Sequence, residues 1–110
     1  MEIEVQNSNE KAVITLTSRF DVNTSPALRI VALALYTKDR CKNVTIDFAH
    51  VSYIDTSGLA TLLDILLLAK EQCAQLTLSG LNERVRYLID VNGLTSFFRI
   101  EGSVQERLHA

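Results

Sequence analysis

Apolar and polar residues alternate from the start of the chain. In "IEVQN" and "AVITLT" β-branched and other apolar residues trade places with polar ones, and the polar "NSNEK" lies between the two runs. A period of two with a polar break predicts a hairpin over residues 3–6 and 12–17. The period then changes. In "TSPALRIVALALY" Leu28, Val31, Ala32 and Leu35 recur at helical spacing. Ser25 is a candidate cap there and Pro26 suits the first helical position, so a helix is expected over 25–38. "NVTIDF" (43–48) and "QLTLS" (75–79) read as short strands. Between them Leu59, Leu62, Leu63, Leu66 and Ala69 mark a helix over 57–72.

Further along, Asn82 can open a helix that carries Val85, Leu88 and Ile89, and Asn92-Gly93 would close it through a left-handed residue. "FFRI" (97–100) reads as a last strand. "SVQERL" (103–108) has the S-x-x-E form of a capping box and predicts a short fourth helix. The order β-β-α-β-α-β-α-β-α, with no linker or repeat, makes residues 1–110 a single α/β domain. Its sheet should be mixed and mostly parallel, with an N-terminal hairpin and four helices. Chemistry in such sheets gathers beyond the carboxyl ends of the strands. "SRFD" follows the second strand and "YIDTSG" the third, which places Asp21 and Asp55 at one edge of the sheet.

Composition narrows the function mainly by exclusion. With 110 residues, 47% hydrophobic and 22% charged, the chain fits one soluble globular domain. A net charge of −2 supplies no basic stripe, so no direct nucleic-acid contact is expected. The longest apolar run, "ILLLA" (65–69), is far short of the roughly 20 residues a membrane span needs. "MEIEVQNSNEKAVITL" lacks the basic start and apolar stretch of a secretory signal, so a cytoplasmic location is expected. Cys41 and Cys73 are far apart and form no C-x-x-C, and His50 and His109 do not join them. Both thiols read as reduced and structural, with no metal or other cofactor. There is no nucleophile elbow and no Gly-rich P-loop, which argues against an enzyme.

Chemistry concentrates in "YIDTSGLATLL", where a strand-like run hands over to a helix through an acid, two hydroxyls and a glycine. A hydroxyl in that place is what an N-cap looks like. It is also what a modifiable side chain at a helix N-terminus looks like. The longer stretch "VSYIDTSGLATLL" resembles the signature of STAS domains, the fold shared by bacterial anti-sigma-factor antagonists and the cytosolic tails of sulfate transporters. Asp55, Ser57, Gly58 and Leu59 fall on that signature. "FDVNTSPAL" (20–28), "LNERVRYLIDVNGLTSFFRI" (81–100) and "SVQERL" match in the family's order and spacing, so the resemblance covers nearly the whole chain.

The resemblance implies a function. The serine matching Ser57 is, in the antagonists, phosphorylated by a serine kinase that is also the anti-sigma factor, and a serine phosphatase resets it. Ser57 is then the expected phospho-acceptor, with Thr56 the neighbouring alternative. Asp21, Asp55, Thr56 and Gly58 belong to the expected docking face, with a helix cap the alternative for Asp55 and a turn before Asn23 the alternative for Asp21. Leu68, placed by the helical wheel beside Thr61 and Asp64 on the polar side, is a further partner contact. Whether the chain forms a homodimer stays open. The rival within the same fold is an unphosphorylated STAS module, a passive subunit of a transporter or stress-signalling complex. This chain departs from the antagonist pattern at Ser18 and Arg19, where many members carry glycine and glutamate, and so brings a cation to the docking edge. Ala60 and Cys73-Ala74 also replace small glycines.

Overall fold

Hydrophobic rows that run across strands, rather than along them, organise the molecule. A computed structural model describes residues 3–17 and 19–102. β1 (Ile3–Ser8) and β2 (Lys11–Leu16) form an antiparallel hairpin that turns at Asn9. β3 (Asn43–Asp47), β4 (Gln75–Ser79) and β5 (Arg99–Glu101) then add in parallel, in the sheet order β1-β2-β3-β4-β5. Register aligns Ala12 with Val44 and Leu76, and Ile14 with Ile46, Leu78 and Ile100. Ile14, Val44, Ile46 and Leu78 are wholly buried in those rows. The alternate positions Val13, Thr45, Thr77 and Arg99 make a mostly polar row on the other pleat.

The connections are α1 (Ser25–Thr37), α2 (Thr56–Glu71) and α3 (Glu83–Val91). Because the strands follow chain order, right-handed crossovers lay all three helices on one face of the sheet. That is the face carrying the buried rows. Leu28, Ala32, Leu35 and Tyr36 are the buried side of α1, and the Tyr36 hydroxyl donates to the Gln75 carbonyl at 2.8 Å. Gly93, at φ +70, stops α3 as expected.

Three expectations change. Among the described residues there are three α-helices and a 3-10 turn (Thr95–Phe97) instead of four helices, and the fourth expected helix, 103–108, lies outside the described residues. The 3-10 turn also moves the last strand from 97–100 to Arg99–Glu101. The Phe97 and Phe98 amides bond back to Leu94 and Thr95, so the chain is still coiled where "FF" suggested a strand.

The second change concerns α2. Thr61 and Ile65, assigned to the polar side and to the flank, are each only 1% exposed, and Leu68 is half-buried against the core. The helix is wedged between the sheet and α1, so two of its faces are covered and the buried stripe is wider than a helix lying on a sheet alone would show. Leu67, at 59% exposed, is the leucine that reaches solvent.

The third is Cys73. It is exposed, in a left-handed turn at φ 53, whereas Cys41 is the buried thiol.

Candidate functional site

Beyond the end of the sheet the chain adds one more pairing. Phe20 and Ile54 form a parallel bridge, with the Phe20 amide bonded to the Tyr53 carbonyl at 3.0 Å and the Asp55 amide to the Phe20 carbonyl at 3.3 Å. Both bridged side chains point into the core, at 0% and 5% exposure. Their neighbours therefore sit on the outward pleat: Arg19 beside Tyr53, and Asp21 beside Asp55. The two acids do share one edge.

Each acid organises a turn. Asp55, not Ser57, caps α2, its Oδ1 accepting from the Gly58 amide at 2.9 Å. Thr56 is thus the first helical residue and Ser57 the second. Asp21 Oδ1 accepts from the Asn23 amide at 2.9 Å. The Asp21 carbonyl accepts from the amides of Thr24 and Ser25 and, at 2.8 Å, from the Ser25 hydroxyl. Ser25 was the expected cap of α1. It lies instead inside the first turn, 4% exposed, after a cap position at Thr24 that makes no side-chain cap bond.

These two helix starts touch. Ser57 Oγ donates to Ser25 Oγ across a long 3.4 Å. Ser57 is half-buried and Thr56 is exposed. Gly58 does not offer itself to a partner as expected but is buried beneath the site. A Cβ there would stand 2.8 Å from the Phe20 carbonyl oxygen and 2.8 Å from an Ile54 side-chain carbon. Only glycine lets the first turn of α2 come down onto the bridge.

Leu68 lies farther along. With Arg29, Leu33, Asp64 and Ile65 it lines a shallow groove of about 270 Å³ between α1 and α2. Arg29 spans that groove to Asp64 at 2.6 Å, while Ile30 and Leu33 stand exposed on α1 at 69% and 49%.

Two contributors escaped the sequence reading. One is Ser25 as a neighbour of Ser57, which the spacing of Asp21 and Ser25 hints at, since i and i+4 is a hydroxyl-to-carbonyl spacing in a helical turn. The other is Tyr53, whose ring carries the Arg19 guanidinium 4.5 Å from its centroid. No local pattern announces that stacking. Among the described residues no three His, Cys, Asp or Glu side chains gather to hold a metal ion, and no helix is long and apolar enough to cross a membrane.

The STAS domain family model matches residues 1–107. The anti-sigma-B factor antagonist of Bacillus subtilis (strain 168) is 29% identical over 111 residues, covering 96% of this chain and 98% of that protein. The intermembrane phospholipid transport system binding protein MlaB of Escherichia coli (strain K12) is 41% identical over 58 residues, covering 52% of this chain and 60% of that one. Among solved structures, the anti-sigma factor antagonist SpoIIAA in its unphosphorylated form superposes with a TM-score of 0.77 at 14% identity, over 97% of this chain and 94% of its own.

Proposed function

The chain belongs to the STAS domain family, and on that premise we propose that it is an anti-sigma factor antagonist switched by phosphorylation of Ser57. Unmodified, it docks on an anti-sigma factor serine kinase and frees a sigma factor. Phosphorylated, it lets go, and a serine phosphatase resets it. Full-length similarity to the Bacillus subtilis antagonist supports the class of partner.

The observation that carries the reading is the placement of Ser57. Ser57 is the second residue of α2, half-buried, on the rim that holds Asp21 and Asp55. Asp55 performs the capping, so no helix-capping duty ties the Ser57 hydroxyl down. Amides at the helix start and the dipole accommodate a phosphate there, so modification need not unfold the domain. Esterification also removes the proton that Ser57 donates to Ser25, which loosens the contact between the two helix starts.

A phosphate adds about −1.5 to −2 charges at neutral pH. At roughly 6 Å from a carboxylate of the rim or of the partner, it is repelled by about 1–5 kcal/mol for effective dielectrics from 80 down to 20. The upper part of that range exceeds the roughly 1.4 kcal/mol of a tenfold affinity step. The groove with Leu33 and Leu68, and exposed Ile30 beside it, give the partner apolar surface to cover.

The test is phosphate transfer. Each anti-sigma factor serine kinase of the same genome is incubated with the domain and ATP, and intact mass is read. Wild type and Thr56→Ala should gain one phosphate and Ser57→Ala none. Transfer that survives in Ser57→Ala and fails in Thr56→Ala would overturn the assignment. The 41% identity to a segment of MlaB favours one alternative, a STAS subunit of a transport complex with no phosphorylation. Transfer to none of the three proteins would select it.

A further inference from the structure

We propose that Arg19 and Tyr53 together form a preset reader for an acidic side chain on the protein that docks over Ser57, so that this pair selects the partner. The inference rests on the antagonist reading above and extends it from what docks to how the partner is chosen.

Arg19 precedes Phe20, the bridged residue whose carbonyl bonds to Asp55 and overhangs Gly58, so the cation stands on the rim of the Ser57 site. Its backbone is fixed, because the Arg19 carbonyl accepts the Thr24 hydroxyl at 2.9 Å. Its side chain is held as well, with the guanidinium over the Tyr53 ring at 4.5 Å. Arg19 is exposed and Tyr53 is 36% exposed, so the stacked pair faces outward. Among the described residues the ion pairs are Arg29–Asp64 and Arg99–Glu101, and Arg19 has no carboxylate at that range.

The acids of the rim are in a different situation. Asp21 holds the Asn23 amide and Asp55 holds the Gly58 amide, so both are engaged in turns of their own chain. Arg19 keeps its N–H fork for something else. A planar guanidinium stacked on an aromatic ring is weakly hydrated and has already lost much of its rotamer freedom. Its fork matches a carboxylate through two parallel hydrogen bonds. Little ordering entropy remains to oppose that contact. The partner surface that meets this rim is therefore acidic at Arg19, on a protein side chain.

The experiment measures binding of the serine kinase identified by phosphate transfer, by calorimetry at low and high salt. Against the wild-type domain, Arg19→Glu should bind about tenfold more weakly or worse, the scale of close charge pairs at interfaces. Arg19→Gln should lose less. Tyr53→Leu should lose a few-fold, since it removes only the face that holds the cation. A Lys in place of one acid on the kinase should restore binding to Arg19→Glu. Thermal unfolding of the Arg19 variants should match wild type, because the side chain is exposed.

Arg19→Glu binding within twofold of wild type at low salt overturns this proposal and leaves the antagonist reading standing. Weakened binding that appears only after Ser57 is phosphorylated would give the guanidinium to the phosphate, and also overturns it. A wild-type domain that neither binds nor accepts phosphate from any such kinase overturns both readings together.

Discussion

The two helices that meet at the site begin with nearly the same four residues and use them in opposite ways. The chain enters α1 through Asn23-Thr24-Ser25-Pro26, with Thr24 at the cap position, and α2 through Asp55-Thr56-Ser57-Gly58, with Asp55 there. At α2 the leading residue caps, which leaves Ser57 half-buried with only a long bond to Ser25. At α1 the leading residue is exposed, no side chain caps, and Ser25 is buried with its hydroxyl on the Asp21 carbonyl. One serine is buried with its hydroxyl on a turn carbonyl, and the other is half-buried on the rim. Residue type does not separate them. What does is which neighbour takes the backbone amides and how closely the bridge beneath lets the helix approach.

That contrast can be broken at each position in turn. The largest effect should come from the fourth residue. Gly58→Ala puts a Cβ against the Phe20 carbonyl, and overpacking of this kind costs about 1–3 kcal/mol. Pro26→Ala at the matching exposed position should cost less than about 1 kcal/mol. Urea unfolding of the two variants checks the order. A Gly58→Ala protein as stable as wild type would mean that the helix start can lift from the bridge.

Next comes the leading residue. Asp55→Ala removes a side-chain cap and should destabilise by about 1 kcal/mol. Asn23→Ala should stay within about 0.5 kcal/mol, as for ordinary surface changes. Equal losses in denaturant midpoint would contradict the different roles assigned to these positions. The third comparison is at the serines. Ser25→Ala removes a hydrogen bond to a buried turn and should cost about 0.5–1.5 kcal/mol. Ser57→Ala should stay within about 0.5 kcal/mol while abolishing phosphate transfer. A Ser57→Ala protein that unfolds more readily than Ser25→Ala would reverse which hydroxyl is structural.

Much of this was legible before any coordinates. Period-two alternation located the hairpin, period 3.6 located the three α-helices and short strand-like runs located β3 and β4, while the 3-10 turn displaced the last strand. The shared edge of Asp21 and Asp55 followed from strand order alone. What stayed hidden depends on contacts between elements. Covering α2 by α1 as well as by the sheet buries Thr61 and Ile65 and half-buries Leu68, and a single-helix wheel does not contain α1. Which of three capping residues in a row would cap α2 stayed open in the sequence, Asp55 among them, and it is the Asp55 carboxylate that reaches the Gly58 amide. The stacking of Arg19 on Tyr53 joins residues 34 positions apart through a one-residue bridge too short to leave a pattern.

The central claim is that phosphate on Ser57 decides whether the partner stays bound. Its most direct test uses the domain carrying phosphoserine at position 57 alone, beside the unmodified domain, titrated with the same anti-sigma factor serine kinase. The account predicts that the unmodified domain binds and that the phosphorylated one binds at least about tenfold more weakly, from a repulsion of a few kcal/mol at the rim. Equal affinity of the two forms would contradict it.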